Sequence, residues 1–280
     1  MDAEANPLME TYGRYVRMID RALEDELGSH AGSEFIGPLR YSLEGGKRIR
    51  PVILALAADC VGSVDGNALA AACAVELLHM ESIIHDDIID EETSRRGREP
   101  FHKRYGQTTS ILTGDFVLGM ILSISARLDS PRITADLATT AMLMSEGEMI
   151  EGRLGEEGDV TFDDYLRVIE YKTATAFEVA ARTGAIIAGG TDAQAGALAS
   201  YGKNVGIAYQ IRDDLLDWKN EDRLFNALVR RGSDPRSVFD RMEEMLAEYS
   251  DRARSALLGA PANAARDGLE ELTRLASFKG

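Results

Sequence analysis

Apolar residues recur at three- and four-residue spacing along nearly the whole chain. Tyr12, Tyr15, Val16, Ile19, Leu23 and Leu27 form one such series, and Leu166, Ile169, Ala176, Val179 and Ala180 another. That period matches one face of an α-helix, and the strict alternation of a half-buried strand is scarce. Turn-forming residues interrupt the pattern at Gly28 to Ser33, Gly45-Gly46, Val61 to Gly66, Arg96 to Pro100, Asp129 to Pro131, Gly155 to Gly158, Gly189-Gly190 and Gly232 to Pro235. The chain is therefore expected to be all-α, with roughly ten or more helices and short connections. Pro51 to Cys60 and Leu112 to Ile124 are apolar on more than one face, which predicts central places in a helical bundle. With 280 residues and no Pro, Gly or Ser rich tract, residues 1–280 are expected to form a single domain.

Charge narrows the function. Asp and Glu total 47 against 31 Lys and Arg, a net charge of −16, which argues against nucleic acid as a partner. Cys60 and Cys73 sit in apolar helical stretches without a CxxC pair, so both are expected to be buried thiols in a reducing compartment. No basic-then-apolar leader opens the chain and no uninterrupted apolar run reaches ~18 residues, so no transmembrane segment and a cytoplasmic location are expected.

Against that acidic background one sextet stands out. HDDIID at 85–90 is echoed by RDDLLD at 212–217. On a helix, Asp86, Asp87 and Asp90 fall within a wedge of about 100°, and Asp213, Asp214 and Asp217 do the same. The intervening Ile88, Ile89, Leu215 and Leu216 are expected to hold each helix in the core. Adjacent carboxylates repel, so each patch calls for a cation. A ligand set of carboxylates without His or Cys suits a hard ion, and Mg²⁺ is held by a few carboxylates, waters and phosphate oxygens. A single such motif would read as a solvated helix face; two, flanked by apolar residues and basic partners, are harder to assign to solvent. His79, seven residues before Asp86, and Gln210, three before Asp213, fall close to their wedges, whereas His85 turns away.

Eight basic residues fall in two short runs: Lys47, Arg48 and Arg50, then Arg95, Arg96, Arg98, Lys103 and Arg104. In GGKRIRP (45–51) the glycines free the backbone, and Lys47 and Arg50 are spaced to reach one anion. Arg95 and Arg96 follow shortly after the first acidic cluster. A diphosphate fits between metal ions and such groups.

Taken in order, GGKRIRP (45–51), ELLHMESIIHDDIIDEETSRRG (76–97), GDFVLG (114–119), EYKTA (170–174) and YQIRDDLLD (209–217) closely resemble the trans-isoprenyl diphosphate synthases, or polyprenyl synthetases, of the geranylgeranyl diphosphate synthase type. The resemblance implies the isoprenoid synthase fold, a helical bundle around a central cavity with the two aspartate motifs facing each other across its mouth. It implies that Asp86, Asp87, Asp90, Asp213, Asp214 and Asp217 bind three Mg²⁺, and that Lys47, Arg50, His79 and Arg96 bind isopentenyl diphosphate. Arg95, Lys172, Thr173 and Gln210 match residues on the allylic side, with Thr173 and Gln210 offering negative dipoles to a carbocation. The implied product is a linear all-trans polyprenyl diphosphate, such as geranylgeranyl diphosphate, and the implied assembly a homodimer.

Two departures qualify the likeness. The family's glycine- and lysine-rich loop after the second motif is absent, Asp217 being followed by WKNEDRLFNALVRRG, with Lys219 too close to replace it. This motivates an alternative, a weakly active or regulatory subunit of a heteromeric synthase. Glu81 stands five residues before Asp86, where the family often has an aromatic residue or alanine that helps set product length. The helical wheel turns Glu81 away from the wedge and predicts that Ser82, Leu78 and Val75 shape the tunnel. A terpene cyclase also uses an aspartate-rich motif and Mg²⁺, but Lys47, Arg50 and Arg96 speak against it.

Overall fold

The computed structural model describes residues 7–95, 97–218, 224–231 and 234–277. Arg96, Lys219 and the stretch from Asn220 to Arg223 lie outside the described residues, as do Gly232 and Ser233 of the last expected break. Thirteen α-helices are present among the described residues. They are α1 (Pro7–Gly28), α2 (Ile36–Leu43), α3 (Ile49–Val61), α4 (Gly66–Ile89), α5 (Phe101–Tyr105), α6 (Gln107–Arg127) and α7 (Pro131–Glu157). Then come α8 (Phe162–Ile169), α9 (Thr175–Ile187), α10 (Asp192–Leu216), α11 (Leu224–Arg231), α12 (Pro235–Ala256) and α13 (Ala264–Ser277). Among the described residues the extended pairing is one isolated antiparallel bridge, Arg95 with Arg98.

Helix boundaries follow the turn chemistry. Asp65, Ser130, Thr161 and Thr191 cap the starts of α4, α7, α8 and α10 through their side chains, satisfying donors that an α-helix leaves open. One break is shorter than expected: α7 runs through Gly155 and stops at Gly158, which takes the left-handed conformation (φ 70°).

The centre of the bundle is α9, packed against α3, α10, α4 and α7. In α3 every residue from Pro51 to Cys60 is buried except Asp59, as its all-round apolar surface predicts. The expectation for Leu112 to Ile124 fails. In α6, Leu112, Leu118 and Leu122 are 48%, 45% and 54% exposed, so the helix lies on the surface with one apolar face uncovered. Both α4 and α6 are long and apolar enough by composition to cross a membrane. In α4, however, 61% of the apolar window is buried inside the fold, and Glu76 and Glu81 lie along it.

Cys60 and Cys73 are buried free thiols, and burial pushes Cys73 up to about 12. Arg48, one of the three basic residues in GGKRIRP, turns inward. It sits at φ 56°, a conformation that few non-glycine residues adopt. Its Nη1 lies 2.7 Å from Glu76 Oε1, its Nε 2.8 Å from Asp20 Oδ1, and its Nη2 donates to the Leu43 carbonyl at 2.6 Å. The Arg48 and Glu76 side chains are only 8% and 7% exposed. Arg48→Met is therefore expected to lower unfolding free energy by about 3–5 kcal/mol in a urea titration, because Glu76 keeps a buried charge without its partner. Adding Glu76→Gln to that variant should recover part of the loss.

Candidate active site

The two acidic motifs occupy equivalent places on their helices. Asp90 is the C-terminal cap of α4 and Asp217 that of α10. Exposure repeats too: Asp86 and Asp213 are half-buried, Asp87 and Asp214 buried, Asp90 and Asp217 exposed. The carbonyl ends of both helices add negative potential where the carboxylates already gather. Because the helices stop there, Ile89 and Leu216 do not anchor them in the core; they are 59% and 52% exposed.

Between the motifs the chain departs from α geometry. Glu170–Ala174, EYKTA, is a π-helical turn joining α8 to α9. Such turns carry one extra residue and redirect side chains locally. Two glycines inside helices let neighbouring helices reach this turn. A Cβ on Gly147 of α7 would sit 2.9 Å from the Lys172 amide nitrogen, and one on Gly206 of α10 would sit 2.8 Å from Ala174 Cα.

The turn points its residues to different walls. Lys172 Nζ lies 2.5 Å from Glu148 Oε2, 2.7 Å from Glu151 Oε2 and 3.9 Å from Asp86 Oδ2. Burial lowers the ammonium's pKa, but Glu151, Asp86 and Glu148 outweigh it, and the net shift is upward. One cation cannot balance three carboxylates. The one farthest from Nζ, Asp86, is pushed up to about 7 by burial, against the opposing pull of Lys172. Burial also raises Asp90. Glu148 and Glu151 were not singled out in the sequence, although their i, i+3 spacing on α7 is a weaker form of the aspartate signal.

Thr173 turns the other way, its hydroxyl donating to Gln210 Oε1 at 2.9 Å. The middle aspartates have partners of their own. Asp87 pairs with the Arg95 guanidinium, and Asp214 accepts from the Tyr165 hydroxyl at 2.6 Å and from Gln210 Nε2 at 3.0 Å. Asp213 lies 3.7 Å from Arg212, and burial followed by Asp213 raises the pKa of Tyr209. His85 points away from this group, its Nδ1 3.1 Å from Glu81 Oε1.

Beside the first motif a cavity of about 400 Å³ gathers Lys47, Arg50, His79, Arg95, Asp87 and Tyr209, so α4 and α10 contribute to one wall system. Arg50 lies over the Phe177 ring at 4.6 Å. From α4 the cavity takes Met80, Ile83 and Ile84. Val75 and Leu78, expected to shape a tunnel, are 1% and 3% exposed in the core, and the Ser82 hydroxyl donates to the His79 carbonyl at 2.9 Å.

Among the described residues no group of three or more His, Cys, Asp or Glu side chains is placed to hold an ion by itself. The donor set nevertheless fits Mg²⁺, which takes one or two carboxylates and completes its shell with water and phosphate oxygens. The deficit of positive charge at Asp86 is one that a divalent cation relieves.

This all-helical arrangement is that of the isoprenoid synthases. Over 98% of this chain it matches geranylgeranyl pyrophosphate synthetase from Pyrococcus horikoshii, covering all of that chain at TM-score 0.87 and 26% identity. It also matches polyprenyl synthase from Caulobacter crescentus, a structure complexed with calcium and isoprenyl diphosphate, covering 98% of this chain and 97% of that one (TM-score 0.86, 27% identity). The polyprenyl synthetase family profile matches residues 33–228, and the chain belongs to that family. It is 41% identical over 174 residues to octaprenyl diphosphate synthase from Haemophilus influenzae, a match covering 62% of this chain. Against geranylgeranyl diphosphate synthase from Methanosarcina mazei it is 34% identical over 222 residues, 77% of this chain. The chain spans 53% and 68% of the lengths of these two relatives.

Proposed function

We propose that the chain is a trans-prenyltransferase. It condenses isopentenyl diphosphate with an allylic diphosphate to give a linear all-trans polyprenyl diphosphate, geranylgeranyl diphosphate or a product of similar length. One juxtaposition carries this reading: two acidic helix ends flank Lys172, Thr173 and Gln210, while a cavity to which Lys47, Arg50, His79 and Arg95 contribute opens beside the first of them. A reaction of two anionic substrates needs two such places.

In this reading Asp86, Asp87, Asp90, Asp213, Asp214 and Asp217 form the acidic motifs for three Mg²⁺, and bound Mg²⁺ supplies charge that stabilises the departing diphosphate. Lys47, Arg50, His79 and Arg96 hold isopentenyl diphosphate. Lys172 and Arg95 add positive charge on the allylic side. As the allylic C–O bond breaks, the oxygens of Thr173 and Gln210 face the developing cation. The isopentenyl double bond attacks that carbon, and the proton lost passes to the released diphosphate. Apolar walls exclude the water that would quench the cation.

The test is incubation with Mg²⁺, isopentenyl diphosphate and farnesyl diphosphate, followed by chromatography of the dephosphorylated products. Mg²⁺-dependent elongation by this chain alone is expected. Elongation only in the presence of a second synthase would favour the accessory-subunit reading, and none under either condition would end both.

The uncovered face of α6 and α7 supports a homodimer. Ile111, Leu112, Leu118 and Leu122 on α6 are exposed, as are Met142 and Met149 on α7, the last two 65% and 75%. Exposed large apolar residues gathered on one helix in this way mark an interaction surface. Sedimentation equilibrium is expected to give twice the chain mass of 30.5 kDa, and Leu118→Glu with Leu122→Glu should shift it to the monomer.

A further inference from the structure

The acidic motif on α10 contains a residue whose surroundings differ from those of its neighbours. Asp214 is 5% exposed, and each carboxylate oxygen accepts a different hydrogen bond, Oδ2 from Tyr165 and Oδ1 from Gln210 Nε2. Tyr165, on α8, is 1% exposed. Gln210 then accepts from Thr173 through Oε1. A hydrogen-bonded chain thus runs Tyr165, Asp214, Gln210, Thr173 and ends on the π-helical turn that carries Lys172.

The direction of every link follows from the chemistry of its groups. The Gln210 amide turns its amino end to Asp214, Nε2 donating to Oδ1. The carbonyl oxygen must then face Thr173. With Asp214 removed, the amide loses the acceptor that fixes it and can turn by half a turn, which would present N–H hydrogens where oxygens now stand; without the Tyr165 hydroxyl, Asp214 loses a hydrogen bond that holds its carboxylate against Gln210. Toward a cation that rotation changes attraction into repulsion.

Building on the proposed transferase activity, we propose that Tyr165 and Asp214 are positioning residues: they lock Gln210 so that its carbonyl oxygen and the Thr173 hydroxyl oxygen are held together on the side of the allylic cation. This narrows the ion-binding set proposed above: within the second motif Asp213 and Asp217 remain for an ion, and Asp214, held by Tyr165 and Gln210, acts through Gln210. The two exposed aspartates of the motifs, Asp90 and Asp217, have no comparable burial.

Two measurements test this. Tyr165→Phe keeps the ring in the core and removes one hydroxyl. Its kcat is expected to fall about tenfold, with KM for both substrates and the half-saturating Mg²⁺ concentration unchanged. The deficit should widen with an allylic substrate fluorinated next to the reacting carbon, since fluorine destabilises the cation. Wild-type rates with a raised Mg²⁺ requirement, or no kinetic change at all, would overturn the inference. Absence of turnover in the unaltered protein would instead overturn the proposed activity. The second measurement needs no turnover: a crystal structure of the unaltered protein with Mg²⁺ and inorganic diphosphate. Asp214 is expected to remain between Tyr165 and Gln210 with no ion bound to it, and an ion directly on Asp214 would refute the assignment.

Discussion

With asparagine in place of Asp86, Mg²⁺-dependent condensation is expected to fall by about 10²–10³-fold, while the metal-free protein becomes more stable above neutral pH. Both effects have one origin. Asp86 is a half-buried carboxyl next to an ammonium that two nearer glutamates already claim. Its pKa in the fold is about 7 against an ordinary 3.8. The folded state therefore holds a proton that the unfolded chain releases between those values. Stability contributed by this group is greatest at the acid end and declines as pH rises through that window. Asparagine removes the decline along with the ligand. Melting temperatures of both proteins from pH 4 to 8 in EDTA should converge at the acid end and separate toward pH 8, the variant melting higher. Parallel curves would show that Asp86 carries no buried-charge cost.

Lys172→Met is expected to have the opposite effect on the fold. Removing the ammonium leaves Glu148 and Glu151 facing Asp86 with no cation among the contacts described. Breaking a buried ion cluster by deleting one partner costs about 3–5 kcal/mol, so the variant should unfold at clearly lower urea than the parent at pH 8. Acid should narrow the difference, because the carboxylates then neutralise themselves. The same variant should lose turnover, since in the proposed reaction Lys172 adds positive charge on the allylic side. A variant as stable as its parent at pH 8 would mean that the carboxylates find another cation.

What could be read from the sequence depended on whether a side chain's environment is local. The α3 core helix was legible because Pro51 to Cys60 is apolar all round and has protein on every side. The same signature misled for α6, because an uncovered apolar face has the same composition as one already covered. The two aspartate motifs were visible as an echo, yet their division into half-buried, buried and exposed positions was not. Asp87 and Asp214 find partners in Arg95, Tyr165 and Gln210, and Tyr165 is 49 positions away from Asp214. Arg48 looked like Lys47 and Arg50, its neighbours in GGKRIRP; only the fold, by bringing Asp20 and Glu76 to it, makes it a buried structural cation. Gly147 and Gly206 gave no sign beyond being small residues inside helices.

Lys172 and Thr173 are consecutive, but the first is tethered to carboxylates of α4 and α7 and the second to an amide of α10. A single peptide bond therefore spans the charged and the dipolar sides of the cleft. Any displacement of α7 relative to α10 must strain that bond or break one of its two moorings, which keeps the carboxylates around Lys172 and the Gln210 amide at a fixed separation.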